Sequence, residues 1–498
     1  MLVQISVHSV GLRYLRVPFF AQVRLSINFN QHNKLFTIKF VLQLINMLKQ
    51  KFLVTTVILC LAITAVAQPF TADMKKEMCE KVRQAAQHAW QGYKQYAWGA
   101  DDLKPLTKKP KLWYKTSMLM TPVDAFDTFT ILGLTDEAKE AKDLILSKLT
   151  FDIDNDVQVF EITIRLLAGL LTAYEIDGDK RFLDLAKDLG DRLMPAFKSP
   201  TGMPYRYVHL QTGKTRDGIN NPAEIGTLMM EFGKLSKLTG NDNYYKAAKK
   251  GMMEVYNRRS KLDLVGEQID IASGNWVSTQ SHISGYIDSY YEYMYKSWVL
   301  FGDQDFKKAF DVQNKAVKRY LISKEKNGWF MHHVDMNTGI VSATTYGALD
   351  AFYAGLCAYA GDIKTAKEIQ KANYYMWTKF NIEPEEFNFK TDSLMSAYYI
   401  LRPESLESDF YLYRLTGDKK YLWQGKYMVD AVLDHCKNDV GYASLKNVLT
   451  FEKTNSMESF FFGETLKYAY LIFAPESALD LDKVVLTTEA HPFKIEKK

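Results

Sequence analysis

The stretch that decides the fold is Ile164-Arg165-Leu166-Leu167-Ala168-Gly169-Leu170-Leu171-Thr172-Ala173-Tyr174-Glu175-Ile176-Asp177-Gly178-Asp179. Its apolar residues crowd every face, as in a helix buried on all sides. Gly178 permits a left-handed C-cap, and Asp179 is a good N-cap for a following helix. The chain then resumes as a charged, amphipathic segment. The same stop recurs at Gly240-Asn241, Gly302-Asp303, Gly361-Asp362 and Gly417-Asp418, with 62, 62, 59 and 56 residues between successive glycines. Each stop reads as the tight turn of an αα-hairpin, with a more buried inner helix before it and an amphipathic outer helix, such as 244–255, after it. Gly- and aromatic-bearing stretches between hairpins, such as 202–207 and 328–331, read as β-hairpins or loops gathered at one end.

Residues 68–498 hold about seven such units of about 60 residues each. Neighbouring hairpins must bury their faces on one another. A linear stack needs polar end caps, whereas a closed ring does not, so an all-α closed ring in one domain is expected. No Pro/Ser-rich linker interrupts 68–498. With 47% apolar and 24% charged residues, disorder and a disulfide-stapled miniprotein are excluded.

The formal net charge of +5 belongs to the N-terminus. Residues 1–67 carry Arg13, Arg16, Arg24, Lys34, Lys39, Lys49 and Lys51 and no acid, so removing these seven charges leaves −2 for the body. A near-neutral body gives no reason to expect a nucleic-acid partner. Met47-Leu48-Lys49-Gln50-Lys51 is a basic head, residues 52–67 are an apolar run, and Ala65-Val66-Ala67 is an A-x-A exit. Together they read as a secretory signal peptide over 47–67, cleaved before Gln68. The run is short for a membrane span, so no stable span is expected after cleavage. Residues 1–46 then read as a mis-assigned extension ahead of Met47. The body keeps Cys79, Cys357 and Cys436, an odd number with no C-x-x-C, so the pairing of any one disulfide stays open. No N-x-S/T acceptor occurs. An exported bacterial protein, in the periplasm or outside the cell, is the expected setting.

Acids recur near the start of each inner helix: Glu161, Glu224, Asp288, Asp350, Glu404 and Glu458, with spacings of 63, 64, 62, 54 and 54. Equal register in a ring means equal height, so the six are expected to converge on one mouth. The bland explanation is capping and the helix dipole, which favour acids in the first turn. Glu161 and Glu404, however, sit among apolar and aromatic neighbours such as Phe160, Phe410 and Phe460. Converging carboxylates with aromatic walls suit glycoside hydrolysis, in which one acid protonates the leaving oxygen and one base activates water.

At these residues the chain resembles the class I α-1,2-mannosidases, glycoside hydrolase family 47. The resemblance rests on Tyr96-Ala97-Trp98-Gly99-Ala100-Asp101-Asp102-Leu103-Lys104-Pro105, Val123-Asp124-Ala125-Phe126-Asp127-Thr128, Val159-Phe160-Glu161 with Ile164-Arg165, and Ile287-Asp288-Ser289-Tyr290-Tyr291-Glu292-Tyr293. Leu401-Arg402-Pro403-Glu404-Ser405-Leu406-Glu407-Ser408, Met457-Glu458-Ser459-Phe460-Phe461 with Gly463-Glu464-Thr465-Leu466-Lys467-Tyr468, and Thr487-Thr488-Glu489-Ala490-His491-Pro492 follow in the same order. It implies an (α/α)7 barrel and an inverting, Ca²⁺-dependent exo-mannosidase acting on α-mannose oligosaccharides, and a monomer is expected. By the resemblance Glu161 is the general acid, acting through a water, Asp288 a second acid, and Glu404 the general base. An inverting pair of carboxylates stands roughly 6.5–9.5 Å apart. Thr488 is the implied calcium ligand, with waters and sugar hydroxyls completing a shell of six to eight oxygens. Glu404, Glu407, Glu464 and Glu489 are placed to hold those waters. Phe460 is the expected stacking floor, Arg165 and Arg402 bind sugar hydroxyls or hold the acids ionised, and Glu224 adds to the substrate-binding set.

Two features depart from the processing enzymes of the family. Tyr286 stands where some members carry an Arg that helps select the mannose branch. Asp350 with its neighbours, and Glu385-Glu386-Phe387-Asn388, are similar to the ER-degradation-enhancing mannosidase-like branch. Other readings are a mannose-glycan-binding protein with little turnover, an α-mannosidase of a different linkage, and a lyase or epimerase on the same barrel. The three catalytic acids argue against the first, and the lack of a His or Tyr base at the shared register argues against the last. His491 reads as a structural hydrogen-bonder, and His282, His332 and His333 show no metal-ligand spacing.

Overall fold

The computed structural model describes residues 69–495, together with stretches 6–9 and 21–24 and a few positions between 43 and 49. The apolar run 52–67 of the signal-peptide reading lies outside the described residues. The chain divides into two units, Met1–Pro69 and Phe70–Lys498. In the first, strands Ser6–Ser9 and Ala21–Arg24 pair antiparallel.

In the second unit the described residues form fourteen helical rods that alternate between two layers. The outer rods are α1 (Ala72–Tyr96), α3 (Thr135–Lys148), α5 (Lys180–Leu193), α7 (Asp242–Asn257), α9 (Gln304–Tyr320), α11 (Ile363–Phe380) and α13 (Lys420–His435). The inner rods are α2 (Met120–Leu132), α4 (Val159–Ile162 running on through Thr163–Leu167 into Ala168–Asp177), α6 (Met229–Thr239, preceded by the turn Pro222–Gly226), α8 (Asp288–Phe301), α10 (Phe352–Tyr359, entered through Leu349–Ala351), α12 (Glu404–Thr416) and α14 (Phe461–Thr465 with Leu466–Leu471). Inner α2 buries almost every residue, whereas outer α3 buries only Glu137, Ala141, Leu144 and Ile145.

The inner rods close into a ring, and each joint is a named contact. Gly169 of α4 packs on Val123 of α2. Lys234 of α6 pairs with Glu175 of α4 at 2.8 Å. The Tyr293 hydroxyl of α8 donates to Glu231 of α6 at 2.6 Å. The Tyr295 hydroxyl donates to the Tyr359 carbonyl of α10, and the Gly355 amide of α10 donates to Ser408 Oγ of α12. Phe410 of α12 and Tyr468 of α14 bring ring centroids to 5.7 Å. Lys467 of α14 pairs with Asp127 of α2 at 3.0 Å, completing the circle.

The five predicted hairpin turns form as expected. Gly178, Gly240, Gly302, Gly361 and Gly417 all take φ between 66° and 86°. The following Asp or Asn accepts a backbone hydrogen bond from the start of the outer helix. A sixth turn, Gly133-Leu134 between α2 and α3, has the same left-handed glycine (φ 72°) without the Asp signature. The seventh pair has no turn. It joins the two ends of the described unit, α1 packing on α14, with Arg83 donating to the Tyr470 hydroxyl. Apart from the pair 484–486 with 492–494, the short strands of this unit lie in the connections from outer to inner rods, as in 322–325 with 328–331 and 156–158 with 207–209. Cys79, Cys357 and Cys436 are buried and free, so no disulfide forms among the described residues. No described helix is long and apolar enough to cross a membrane.

Closure at α1 leaves no room at Gly92, where a Cβ would stand 1.6 Å from the Val440 carbonyl oxygen. Gly92→Ala is expected to destabilise the protein by about 3 kcal/mol, because overpacked rigid backbone must shift. Thermal unfolding of the variant checks this; an unchanged midpoint would contradict the closure contact.

Candidate active site

A cavity of about 330 Å³ opens where the inner rods begin. Its floor is the last hairpin of the chain, Val484–Leu486 paired with Pro492–Lys494, whose tip 487–491 ends inside the ring. The tip is tied to the rods around it. The Thr488 amide donates to the Tyr293 hydroxyl at 3.2 Å, Lys467 Nζ donates to the Ala490 carbonyl at 2.8 Å, and His491 Nδ1 lies 2.8 Å from Asp127 Oδ2.

Glu161, Asp288, Glu404, Thr488, Arg165, Glu224, Arg402, Glu407, Phe460, Glu464 and Glu489 all line this cavity. Asp350 and Glu458, expected at the same height, do not. Asp350 lies in the tight turn that precedes α10 and accepts the Gly347 amide at 2.9 Å, while Leu349 and Phe352 face the cavity instead. Glu458 precedes the start of α14 and pairs with Lys111 at 3.2 Å. Equal spacing in sequence therefore did not bring every one of the six acids to the cavity.

Two inner rods widen by a π-helical turn inside the site, Thr163–Leu167 and Phe461–Thr465. Such turns often mark functional positions. Here they carry Arg165 and Glu464 into the cavity wall. Arg165 is nearly buried, with Glu161 Oε2 at 3.0 Å, Glu489 Oε1 at 2.8 Å and Asp124 Oδ2 at 3.8 Å. Its guanidinium lies between the rings of Trp113 and Phe460, at 5.2 and 5.5 Å. Burial alone would weaken its hold on the proton, but Glu489, Glu161 and Asp124 hold it firmly charged.

Glu404 and Asp288 each open an inner helix that lacks a side-chain cap. Burial pushes the Glu404 carboxyl up to about 7, against the pull of Arg402, whose Nη1 is 3.8 Å away. Burial likewise raises Asp288 to about 6, moderated by the Ser289 amide at 2.6 Å and hydroxyl at 3.1 Å. Arg402 spends its other two donors on Glu385, at 3.1 and 2.6 Å. Glu224 differs: its amide donates to Asn221 Oδ1 at 2.9 Å, its carboxylate accepts from Asn221 Nδ2 at 2.9 Å, and it forms a two-pronged pair with Arg206 at 2.9 and 2.6 Å. Burial raises Glu407 and Glu464 as well, and like charges add to the effect on Glu464.

Sequence reasoning passed over three contributors. Glu292, one turn after Asp288, lines the cavity and pairs with the buried Lys296. Glu385 anchors Arg402. Trp113 is set by Asp101, which takes its amide at 3.0 Å, and by Asp102, which takes its indole N–H. The adjacent acids Asp101-Asp102, already singled out in the opening motif, were the signal that a neighbouring segment is held there.

Eight carboxylates line the cavity (Glu161, Glu224, Asp288, Glu292, Glu404, Glu407, Glu464, Glu489), against two guanidiniums. Oxygen-only donors with excess negative charge suit a hard cation such as Ca²⁺. Glu404 Oε2 and Glu489 Oε2 are buried without a hydrogen-bond partner. No three acid, His or Cys side chains among the described residues come close enough to cage an ion directly. The donor set fits a hydrated ion rather than a protein-caged one.

A blind, acid-walled cavity plugged at the base of an (α/α)7 barrel defines a glycoside-hydrolase type of enzyme. The chain belongs to glycosyl hydrolase family 47, whose sequence model matches residues 85–495. It is 36% identical over 444 residues to Mannosyl-oligosaccharide 1,2-alpha-mannosidase MNS1 of Arabidopsis thaliana, covering 84% of this chain and 79% of that one. It is 33% identical over 449 residues to ER degradation-enhancing alpha-mannosidase-like protein 2 of Homo sapiens, covering 83% and 77%. The solved alpha-1,2-mannosidase from Trichoderma reesei superposes with a TM-score of 0.79 at 28% identity, covering 84% of this chain and 99% of that one.

Beneath the floor, burial would lower His491, but Asp127 and Asp124 outweigh it and raise the imidazole to about 9. A raised folded value makes this contribution complete below the unfolded value of about 6.5 and lost as pH rises through about 9. The full contribution is on the order of 3 kcal/mol. His491→Asn is therefore expected to fall short of the parent protein in stability at pH 6 and to approach it by pH 10. Denaturant unfolding of both across that range checks it; a gap that does not narrow would contradict the assignment.

Proposed function

We propose that this protein is an exo-acting α-mannosidase that removes terminal α-1,2-linked mannose from mannosyl-oligosaccharides with inversion at the anomeric carbon. The observation that carries the reading is the blind cavity. One sugar unit entering it reaches the plug, with the carboxylates of the wall beside its bond to the next unit. The names of the relatives supply the sugar and the linkage.

In this mechanism Glu404 is the base. Its first-turn position gives it the positive end of a helix dipole, and the Arg402 guanidinium lies 3.8 Å away. The carboxylate takes a proton from a water as that water attacks the anomeric carbon. Glu161, held by Arg165, supplies the proton to the leaving oxygen through a second water. Asp288 stands by as a further acid, kept near half-protonation around pH 6 by burial. Phe460 offers an apolar face to the sugar ring.

Thr488, through its hydroxyl and carbonyl, would hold Ca²⁺, with Glu407, Glu464 and Glu489 accepting hydrogen bonds from its waters. When bound, the ion supplies orientation of the sugar hydroxyls and favours a distorted ring. We further infer export through the 47–67 signal peptide and a working monomer, with branch preference set near Tyr286 at the rim.

Release of mannose from α-1,2-mannobiose tests the reading. Expected are activity with Ca²⁺, loss with a chelator, and β-mannose as the first anomer by NMR. The α-anomer would overturn the mechanism. Glu404→Gln and Glu161→Gln are each expected to lower kcat by about 10²–10⁴-fold, the usual worth of a general base or acid.

A further inference from the structure

Glu383 is fully buried, and no role described above accounts for its carboxyl. Its Oε2 accepts a hydrogen bond from Ser405 Oγ at 2.7 Å. Its Oε1 has no hydrogen-bond partner. The Trp377 side chain interacts with its carboxyl and Tyr399 lies near enough to feel its charge; these two buried rings meet edge to face at 5.9 Å. An apolar side chain would fill such a place without the cost of burying a carboxyl.

Its position relative to the base is what gives it a use. Ser405 directly follows Glu404. Two residues beyond Glu383, Glu385 takes two hydrogen bonds from Arg402. One short segment, 383–385, thus grips the chain on both sides of Glu404. The need for such a grip is local. Pro403 offers α12 no side-chain cap, and Leu401 is held at φ 66°, a strained value for leucine. The Tyr399 hydroxyl ties down the Arg402 carbonyl at 3.0 Å, and Thr465 Oγ1 ties down that of Leu401 at 2.5 Å. The Glu383–Ser405 contact lies within the first turn of the helix itself, after the base, where Gln370 Nε2 also donates to the Ser405 carbonyl at 3.3 Å.

We propose that Glu383 is a positioning residue for Glu404: through Ser405 it fixes the first turn of α12, and with it the direction of the Glu404 carboxylate. The inference rests on the reading of Glu404 as the base. Burial, reinforced by the nearby charges of Glu404 and Glu385, raises the Glu383 carboxyl well above its ordinary range. That shift favours the uncharged form of the carboxyl beside the base.

Glu383→Leu, Glu383→Gln, Ser405→Ala and Glu404→Gln are compared on α-1,2-mannobiose, with thermal midpoints recorded for each. Glu383→Leu and Ser405→Ala are expected to lower kcat about tenfold with KM within about twofold, the pattern of a misdirected catalytic group. Glu383→Gln, whose amide oxygen still accepts from Ser405, is expected to keep kcat near that of the parent. The double variant Glu383→Leu/Ser405→Ala is expected to be no worse than Glu383→Leu alone, since both break one connection. Unchanged kcat in a folded Ser405→Ala, a loss confined to KM, additive losses, or a Glu383→Gln as poor as Glu383→Leu would each overturn the proposal. Retained activity in Glu404→Gln would instead overturn the reading of the base, which separates the two failures.

Discussion

The tip of the 484–494 hairpin, residues 487–491, lies inside a ring of helices, and buried charge holds it there. Lys467, His491 and Arg165 meet Asp127, Asp124 and Glu489, and each of these side chains is almost wholly out of water. The partners come from α2, α4, α14 and the terminal hairpin, so the cluster is complete only when ring and plug are both in place. Removing one partner of such a pair leaves an uncompensated buried charge, which costs about 3–5 kcal/mol. The cavity floor is made of this plug. The geometry of the site is thus fixed by the same interactions that complete the fold.

Above the floor the balance of charge reverses. The cluster beneath is nearly matched, acid for base, whereas the cavity wall has eight carboxylates and two arginines. Water cannot relieve that crowding as it would at a surface, so the groups hold protons or favour a cation. Burial raises Glu404, Asp288, Glu407 and Glu464 together. Raised carboxyl groups near neutrality and a surplus of oxygen donors both follow from one excess of charge in one small volume.

The ring was legible in the sequence because its signals are local. A glycine that must turn left-handed and an Asp that must cap the next helix lie side by side, and they recur. Gly133 escaped notice because Leu134 replaces the capping residue, and the α1–α14 pair escaped because it has no turn at all. The acids were legible as residues but not all as positions. Asp350 and Glu458 turn to partners outside the cavity, the Gly347 amide and Lys111, which spacing cannot resolve. The π-helical turns at Arg165 and Glu464 leave no mark in composition. Glu385, Trp113 and Glu383 were hidden for another reason: their partners are 11 to 22 residues away in chain and off the helical register.

The cavity acids also show how differently two carboxylates in like positions can be satisfied. Glu224 and Glu404 both stand in the first turn after a helix start, and both touch an arginine. Glu224 is satisfied by Asn221 and by both prongs of Arg206. Glu404 receives neither, because the prongs of Arg402 go to Glu385 and its own Oε2 has no hydrogen-bond partner. The capping explanation that holds for Glu224 therefore fails for Glu404. Position on the helix is the same in the two cases; the difference is how completely the neighbours neutralise the charge. A carboxylate left under-satisfied in a buried site retains free energy to gain from a proton, a water or a sugar hydroxyl, and that unspent interaction is what catalysis requires.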